Sequence, residues 1–138
     1  WLDWSRLEKN RGMFRFFQYM IRFRKEHRVL RTSLSNGACG FPDVSFHGVE
    51  PWCGGFFESH ERYVGVMFAG AQRSTGPQVV YVASNAWWEE LEITLPRLPA
   101  SMYWERAADT WEEEQPSRRA AEDRFTIRPR SVMVFVAR

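Results

Sequence analysis

The spacing of apolar residues changes once along this chain, and that change limits the folds open to it. From Ser5 to about Arg31 the spacing is helical. Met13, Phe16, Phe17, Met20, Ile21 and Phe23 recur at three and four, while Arg15, Gln18, Arg22, Lys25 and Glu26 take the other side. The apolar arc covers nearly half the helical wheel, with Arg24 and His27 inside it. That is wider than one small sheet face needs. Ser5 is placed to cap the helix, with Glu8 completing a capping box. Val29, Leu30 and Arg31 close the segment, and Ser35-Asn36-Gly37 breaks it.

Beyond Gly40 the period is two. The alternation predicts strands at Val44–Val49, Tyr63–Ala69, Gln78–Ser84, Leu91–Leu95, Met102–Ala108, Arg124–Ile127 and Ser131–Val136. In the last, Val132, Val134 and Val136 face one way and Met133 and Phe135 the other. Turn residues separate the runs at Pro51 to Gly55, Ser74 to Pro77 and Pro96 to Pro99. Short strands with no interleaved helices predict a mainly β fold, an antiparallel β-sandwich preceded by an α-helix. The charged stretch Trp111 to Asp123, with Pro116 inside it, reads as a mobile surface loop.

At 138 residues, 44% hydrophobic and 26% charged, the chain suits one domain with an appended helix, and it is too apolar to be disordered. No run approaches the roughly 18–20 apolar residues of a membrane span. No secretory leader is visible, and an opening Trp1 in place of Met fits a piece of a longer protein. Nineteen basic against seventeen acidic residues, without a dense basic run, make nucleic acid a poor partner. Cys39 and Cys53 lack the paired spacing of a zinc or redox site. They read as buried thiols in a reducing, cytoplasmic compartment, with one disulfide left open.

Catalytic patterns are scarce. A retaining glycosidase needs two carboxyls about 5–5.5 Å apart in a cleft. Glu112, Glu113 and Glu114 instead sit in a hydrophilic run, and Asp3, Asp43 and Asp109 stand apart. His27, His47 and His60 have no metal-ligand spacing, and His27 and His47 read as polar packing. No nucleophile elbow or phosphate loop appears, since Cys53-Gly54-Gly55 leads to neither a Lys-Ser/Thr pair nor a helix. No cofactor or metal is expected.

Aromatic residues make up 16% of the chain and include seven Trp. Most should pack in the core, but flat apolar faces also stack on sugars or bases. Trp87 and Trp88 follow Asn85 at a strand end, where they form either a sugar platform or a plug for the sandwich.

Trp1-Leu2-Asp3-Trp4, RFFQYMIRFRKEHRVLR, FPDVSFHGVEPW, YVASNAWWEELEITLP and the ending IRPRSVMVFV occur in this order. Together they resemble the carboxy-terminal part of isoamylase-type glycogen debranching enzymes of the α-amylase superfamily. The resemblance implies that residues 1–35 are the tail of a catalytic TIM barrel, its W-x-D-W loop and last helix. Residues 40–138 would be the β-sandwich that follows. Such loops lie on a barrel's active-site face. The resemblance therefore implies that Trp1, Asp3 and Trp4 border the glucan cleft, or pack at the barrel's mouth. The family's catalytic carboxylates belong to upstream segments, so none is assigned here. Where relatives carry a more polar stretch, this chain has Cys53-Gly54-Gly55-Phe56-Phe57.

The expectation is a non-catalytic domain that supports the barrel of an enzyme hydrolysing α-1,6 branch points of glycogen-like α-glucans. An independent α-glucan-binding module using Trp87 and Trp88 is the alternative. The expected partners are the upstream barrel, weakly held α-glucan, and a second copy through the N-terminal helix. A chain starting near Gly40 is expected to stay folded and monomeric, because alternating strands supply their own core.

Overall fold

A computed structural model describes residues 1, 3–31, 37–54, 62–72, 76–112, 115, 118–119 and 123–138. His60, Glu113, Glu114, Pro116, most of the Ser35–Gly37 breaker and Gly55-Phe56-Phe57 lie outside these residues.

The helical segment is divided in three: α1 (Arg6–Lys9), α2 (Arg11–Glu26) and a 3₁₀ turn (Arg28–Leu30). The division at Asn10 was not expected. Asn10 leaves helical geometry, and its side-chain amide donates to the Arg6 carbonyl at 3.0 Å. Ser5 occupies the N-cap but makes no capping bond, so the capping box with Glu8 does not form. Instead the Ser5 hydroxyl and amide both donate to Asp3, and Glu8 pairs with Arg11. His27 ends α2 by leaving the helical region.

Among the described residues eight strands follow: β1 (Val44–His47), β2 (Tyr63–Gln72), β3 (Gly76–Asn85), β4 (Leu91–Thr94), β5 (Trp104–Asp109), β6 (Arg118–Arg119), β7 (Arg124–Ile127) and β8 (Ser131–Ala137). Seven match the predicted runs to within a few residues. The eighth, β6, falls in the stretch read as a mobile loop, where it pairs with Glu105 and Arg106 on the edge of β5. An antiparallel six-stranded sheet runs β1-β2-β3-β8-β5-β6, and β4 pairs with β7 in a second sheet. This is the β-sandwich preceded by a helix that the alternation predicts.

Because successive side chains alternate, the large sheet feeds two cores. On one face Met67, Tyr81, Met133 and Phe135 pack with Ile93, Leu95 and Ile127 of the small sheet's strands and their continuations. On the other, Val80, Val134 and Val136 are buried with Ala107, Ala108, Phe23 and Val29, flanked by Tyr19, Met20 and Leu30. The sheet is therefore not self-sufficient: the end of α2 and the 3₁₀ turn roof its second face. A bulge fixes the helix in place. Ala107 is the extra residue between Arg106, opposite Phe135, and Ala108, opposite Val134. Its carbonyl accepts the Tyr19 hydroxyl at 2.7 Å.

Only part of the helical apolar arc is used in this way. Phe23 and His27 are buried, whereas Met13, Phe14, Phe17 and Ile21 remain exposed and Arg24 points to solvent. Cys39 and Cys53 are both free thiols. The expectation that both are buried fails: Cys39 is half-buried and Cys53 is exposed.

Candidate functional site

Two loops at one end of the sandwich each present an exposed indole, and each is held by a buried Asx side chain. At the end of β3, Asn85 is 1% exposed. Its Oδ1 accepts the Trp87 amide at 2.8 Å, while Nδ2 donates to the carbonyls of Glu89 (2.8 Å) and Arg128 (3.1 Å). Both of its amide hydrogens and its carbonyl oxygen go into shaping the loop. Trp87 and Trp88 stack on one another, with centroids 3.7 Å apart. The Arg62 guanidinium lies over the Trp87 ring. One face of Trp88 is thus backed by Trp87, and Trp88 remains 61% exposed. Half-buried Trp87 acts as the support of this pair.

The end of β5 repeats the device. Buried Asp109 accepts the Trp111 amide at 3.0 Å through Oδ1 and pairs with Arg106 through Oδ2 at 3.2 Å. Gln115 ties the loop further, accepting the Asp109 amide and donating to the carbonyls of Asp109 and Glu112. Trp111 donates its Nε1–H to the Pro129 carbonyl at 3.1 Å and is 53% exposed. Trp88, Thr110, Trp111, Pro129 and Arg130 line one cleft of about 530 Å³. Trp111 was missed in the sequence because charged neighbours mark its segment as a loop. The signal that finds it is the echo of Asn85-Ala86-Trp87 in Asp109-Thr110-Trp111. In both, an Asx turn ends a strand and presents indole.

The other candidates lie elsewhere. Asp3 accepts from the Ser5 hydroxyl (2.5 Å), the Ser5 amide (3.1 Å) and Arg6 Nε (3.2 Å). The Ser5 hydroxyl above all, then its amide, holds this carboxyl below its usual range. Asp3 is therefore occupied in starting α1. Trp1 is fully exposed, and Trp4 shares an open cleft of about 340 Å³ with Asp3, Leu7, Met13, Phe14 and Phe17. Trp4 and Asp3 come together there, but Trp88 does not join them in that cleft.

Ser45 Oγ lies 2.8 Å from His47 Nε2, a spacing that resembles a nucleophile and its base. The tautomer rules this out. The Trp52 amide donates to Nδ1 at 3.1 Å, so the ring proton sits on Nε2 and His47 donates to Ser45. The pair is structural. Among the described residues, no group of three His, Cys, Asp or Glu side chains is placed to hold a metal.

Burial lowers the pKa of His47, and burial likewise dominates for His27, which stacks on Phe23 and bonds its carbonyl. Both are biased toward the neutral form in the folded chain, whereas in the unfolded chain they titrate near their ordinary value of about 6.5. Below that pH the unfolded state binds more protons, so stability must fall as pH falls. Each imidazole contributes a slope of at most about 1.4 kcal/mol per pH unit. The thermal midpoint is expected to drop by several degrees between pH 7 and pH 5.5, and the drop should be smaller in His47→Gln. A midpoint that is flat across this interval would contradict it.

No protein-family model matches the chain. Two curated proteins do: the isoamylases of Pseudomonas amyloderamosa and of Pseudomonas sp. (strain SMP1). Each is 29% identical over 115 residues, covering 80% of this chain and 14% of the relative. The chain is thus a distant match to part of an isoamylase, and it spans about one-seventh of those proteins. Among the described residues, no helix is long and apolar enough to cross a membrane.

Proposed function

We propose that this chain is the non-catalytic, carboxy-terminal part of a cytoplasmic glycogen-debranching enzyme of isoamylase type. In this reading it supports the barrel that hydrolyses α-1,6 branch points of glycogen-like α-glucans. The observation that carries the reading is the isoamylase match, which takes in most of this chain and only a small part of each relative. The helix agrees with it. Phe23 and His27 face the sandwich, while Met13, Phe14, Phe17 and Ile21 are turned outward on a face suited to a second body. Residues 1–35 would be the tail of that barrel and residues 40–138 the sandwich behind it. Trp1, Asp3 and Trp4 would lie toward the barrel's mouth, and the reacting carboxylates would come from upstream segments.

Among the described residues, Asp3 is committed to α1, and Asp109 and Glu112 pair with Arg106, the latter at 3.7 Å. The isolated chain is expected to release no reducing ends from glycogen, amylopectin or pullulan, and a polypeptide that also carries the upstream segments is expected to do so. Release by residues 1–138 alone, abolished by a single carboxylate substitution, would refute the reading. The alternative, an independent α-glucan module, draws on exposed Trp88. Stacking on one or two indoles supplies about 1–3 kcal/mol each, so maltoheptaose should bind with a Kd of about a millimolar or weaker. Micromolar binding lost in Trp88→Ala would favour the module.

A further inference from the structure

The cleft between the two sandwich loops presents hydrogen-bond donors that the chain itself leaves unspent. Trp88, Thr110, Trp111, Pro129 and Arg130 line it, and its volume of about 530 Å³ lies within the roughly 300–1,000 Å³ of small-molecule sites. The Trp87 N–H reaches Glu89 and the Trp111 N–H reaches Pro129, but among the described residues the Trp88 N–H has no partner. Thr110 Oγ1 accepts the Val132 amide at 3.0 Å, which leaves its own proton to give. Arg130 is exposed, and its guanidinium meets no carboxylate or carbonyl of the described residues. Its backbone is a second sign. Arg130 sits at φ 49°, in the left-handed region that glycine adopts far more readily. The turn is pinned there by the Arg130 amide, which donates to the Trp87 carbonyl at 2.9 Å. A costly conformation that carries a long cation without a structural partner points to a role outside folding.

We propose that this cleft is a sugar-binding site, in which rings of an α-glucan chain stack on Trp88 and Trp111 while their oxygens accept from Trp88, Thr110 and Arg130. The choice of α-glucan rests on the debranching-enzyme reading. The choice of a sugar rests on the cleft. Each indole has one face already backed, Trp88 by Trp87 and Trp111 by the Arg128 guanidinium 5.3 Å from its centroid, and both remain more than half exposed. Flat apolar rings of this kind fit the C–H faces of pyranoses. Buried Asn85 and Asp109 already fix the two loops, so little ordering is left to be done on binding. No carboxylate lines the cleft, so its free groups are all donors, and a glucan offers an oxygen to them on every ring. A purely apolar ligand would leave those donors unpaired. Phosphate would use Arg130 and leave both indoles idle. Trp87 is then a support, and Trp111, Thr110 and Arg130 complete what Trp88 alone could not form.

Maltoheptaose titrated into the 138-residue chain, followed by tryptophan fluorescence and calorimetry, tests the cleft. Saturable binding is expected with a Kd of about a millimolar, weakened at least fivefold in Trp88→Ala and in Trp111→Ala. Arg130→Gly separates binding from folding. Glycine suits the left-handed turn, so the melting temperature should hold or rise while affinity falls at least threefold. A melting temperature and an affinity that fall together would give Arg130 a structural role and overturn its place in the cleft. Absence of saturable binding well above a millimolar would overturn the site and leave the debranching reading standing, because that reading is decided by reducing-end release from the longer polypeptide. Binding indifferent to Trp111→Ala or to Arg130→Gly would also overturn the site. Cellohexaose held as tightly as maltoheptaose would overturn the choice of α-glucan, and displacement of maltoheptaose by inorganic phosphate would overturn the choice of a sugar.

Discussion

A chain beginning at Gly37 is expected to lose cooperative folding and to aggregate, contrary to what strand alternation alone leads one to expect for a chain starting near Gly40. A chain beginning at Arg15 should melt as the full one does. Removing residues 1–36 takes away Phe23, Val29 and Leu30 and uncovers Val80, Val134 and Val136 on the outer face of the large sheet. Burying such a side chain contributes about 1.5–3 kcal/mol. Three of them rival the roughly 5–15 kcal/mol by which a domain of this kind is stable. Beginning at Arg15 keeps Tyr19, Met20 and the whole roof, and the described side chains it discards are all exposed. Circular dichroism melts and light scattering of the three lengths decide the matter. A Gly37-start chain with an unchanged melting temperature would show that the roof contributes nothing.

The second large effect is expected at Gly65, the third residue of β2. A methyl group there would overlap Tyr81 Oη and lie 2.6 Å from Cζ and 3.1 Å from Tyr63 Oη. Tyr81 has no room to yield. Its side chain is fully buried, and its hydroxyl bonds that of Tyr63 at 3.0 Å. Burial raises the pKa of both phenols, so neither escapes by ionising. Overpacking costs about 1–3 kcal/mol, and separating two buried hydroxyls adds about 1–3 kcal/mol. Gly65→Ala should therefore be destabilised by about 2–6 kcal/mol in urea unfolding. Tyr81→Phe removes the nearest of the atoms in conflict, so the double variant should be more stable than the sum of the two single effects allows. Strict additivity would sink this account.

How much of this could be read beforehand differs from element to element. β8 was legible on both faces, because Val132, Val134 and Val136 alternate with Met133 and Phe135 and each set found its own core. β7 was legible to the residue. The division of the helix at Asn10 was not, since the apolar spacing continues through it. β6 was hidden because Arg118 and Arg119 carry no pattern of their own. The edge of β5 decides their pairing. Of the candidate site, the Trp87–Trp88 loop could be read from its place after a strand, but the stacking of one indole on the other could not. Trp111 stayed hidden because the bond to Asp109 that presents it is indistinguishable, in a charged run, from ordinary solvated loop.

The order of strands also sets a clock on biosynthesis. β1, β2 and β3 are neighbours in sequence and can pair as they are made, but the strand that joins them to β5 and β6 is β8, residues 131–137. Some fifty residues separate the end of β3 at Asn85 from the end of β8 at Ala137. At about 5–20 residues per second, ribosomes need roughly 3–10 s to bridge that gap. For that interval a nascent chain carries a three-stranded half-sheet whose β3 edge is open, an invitation to pair with a neighbouring chain on the same polysome. Codon speed between Asn85 and Ser131 is therefore a lever on yield that no folded-state measurement would detect.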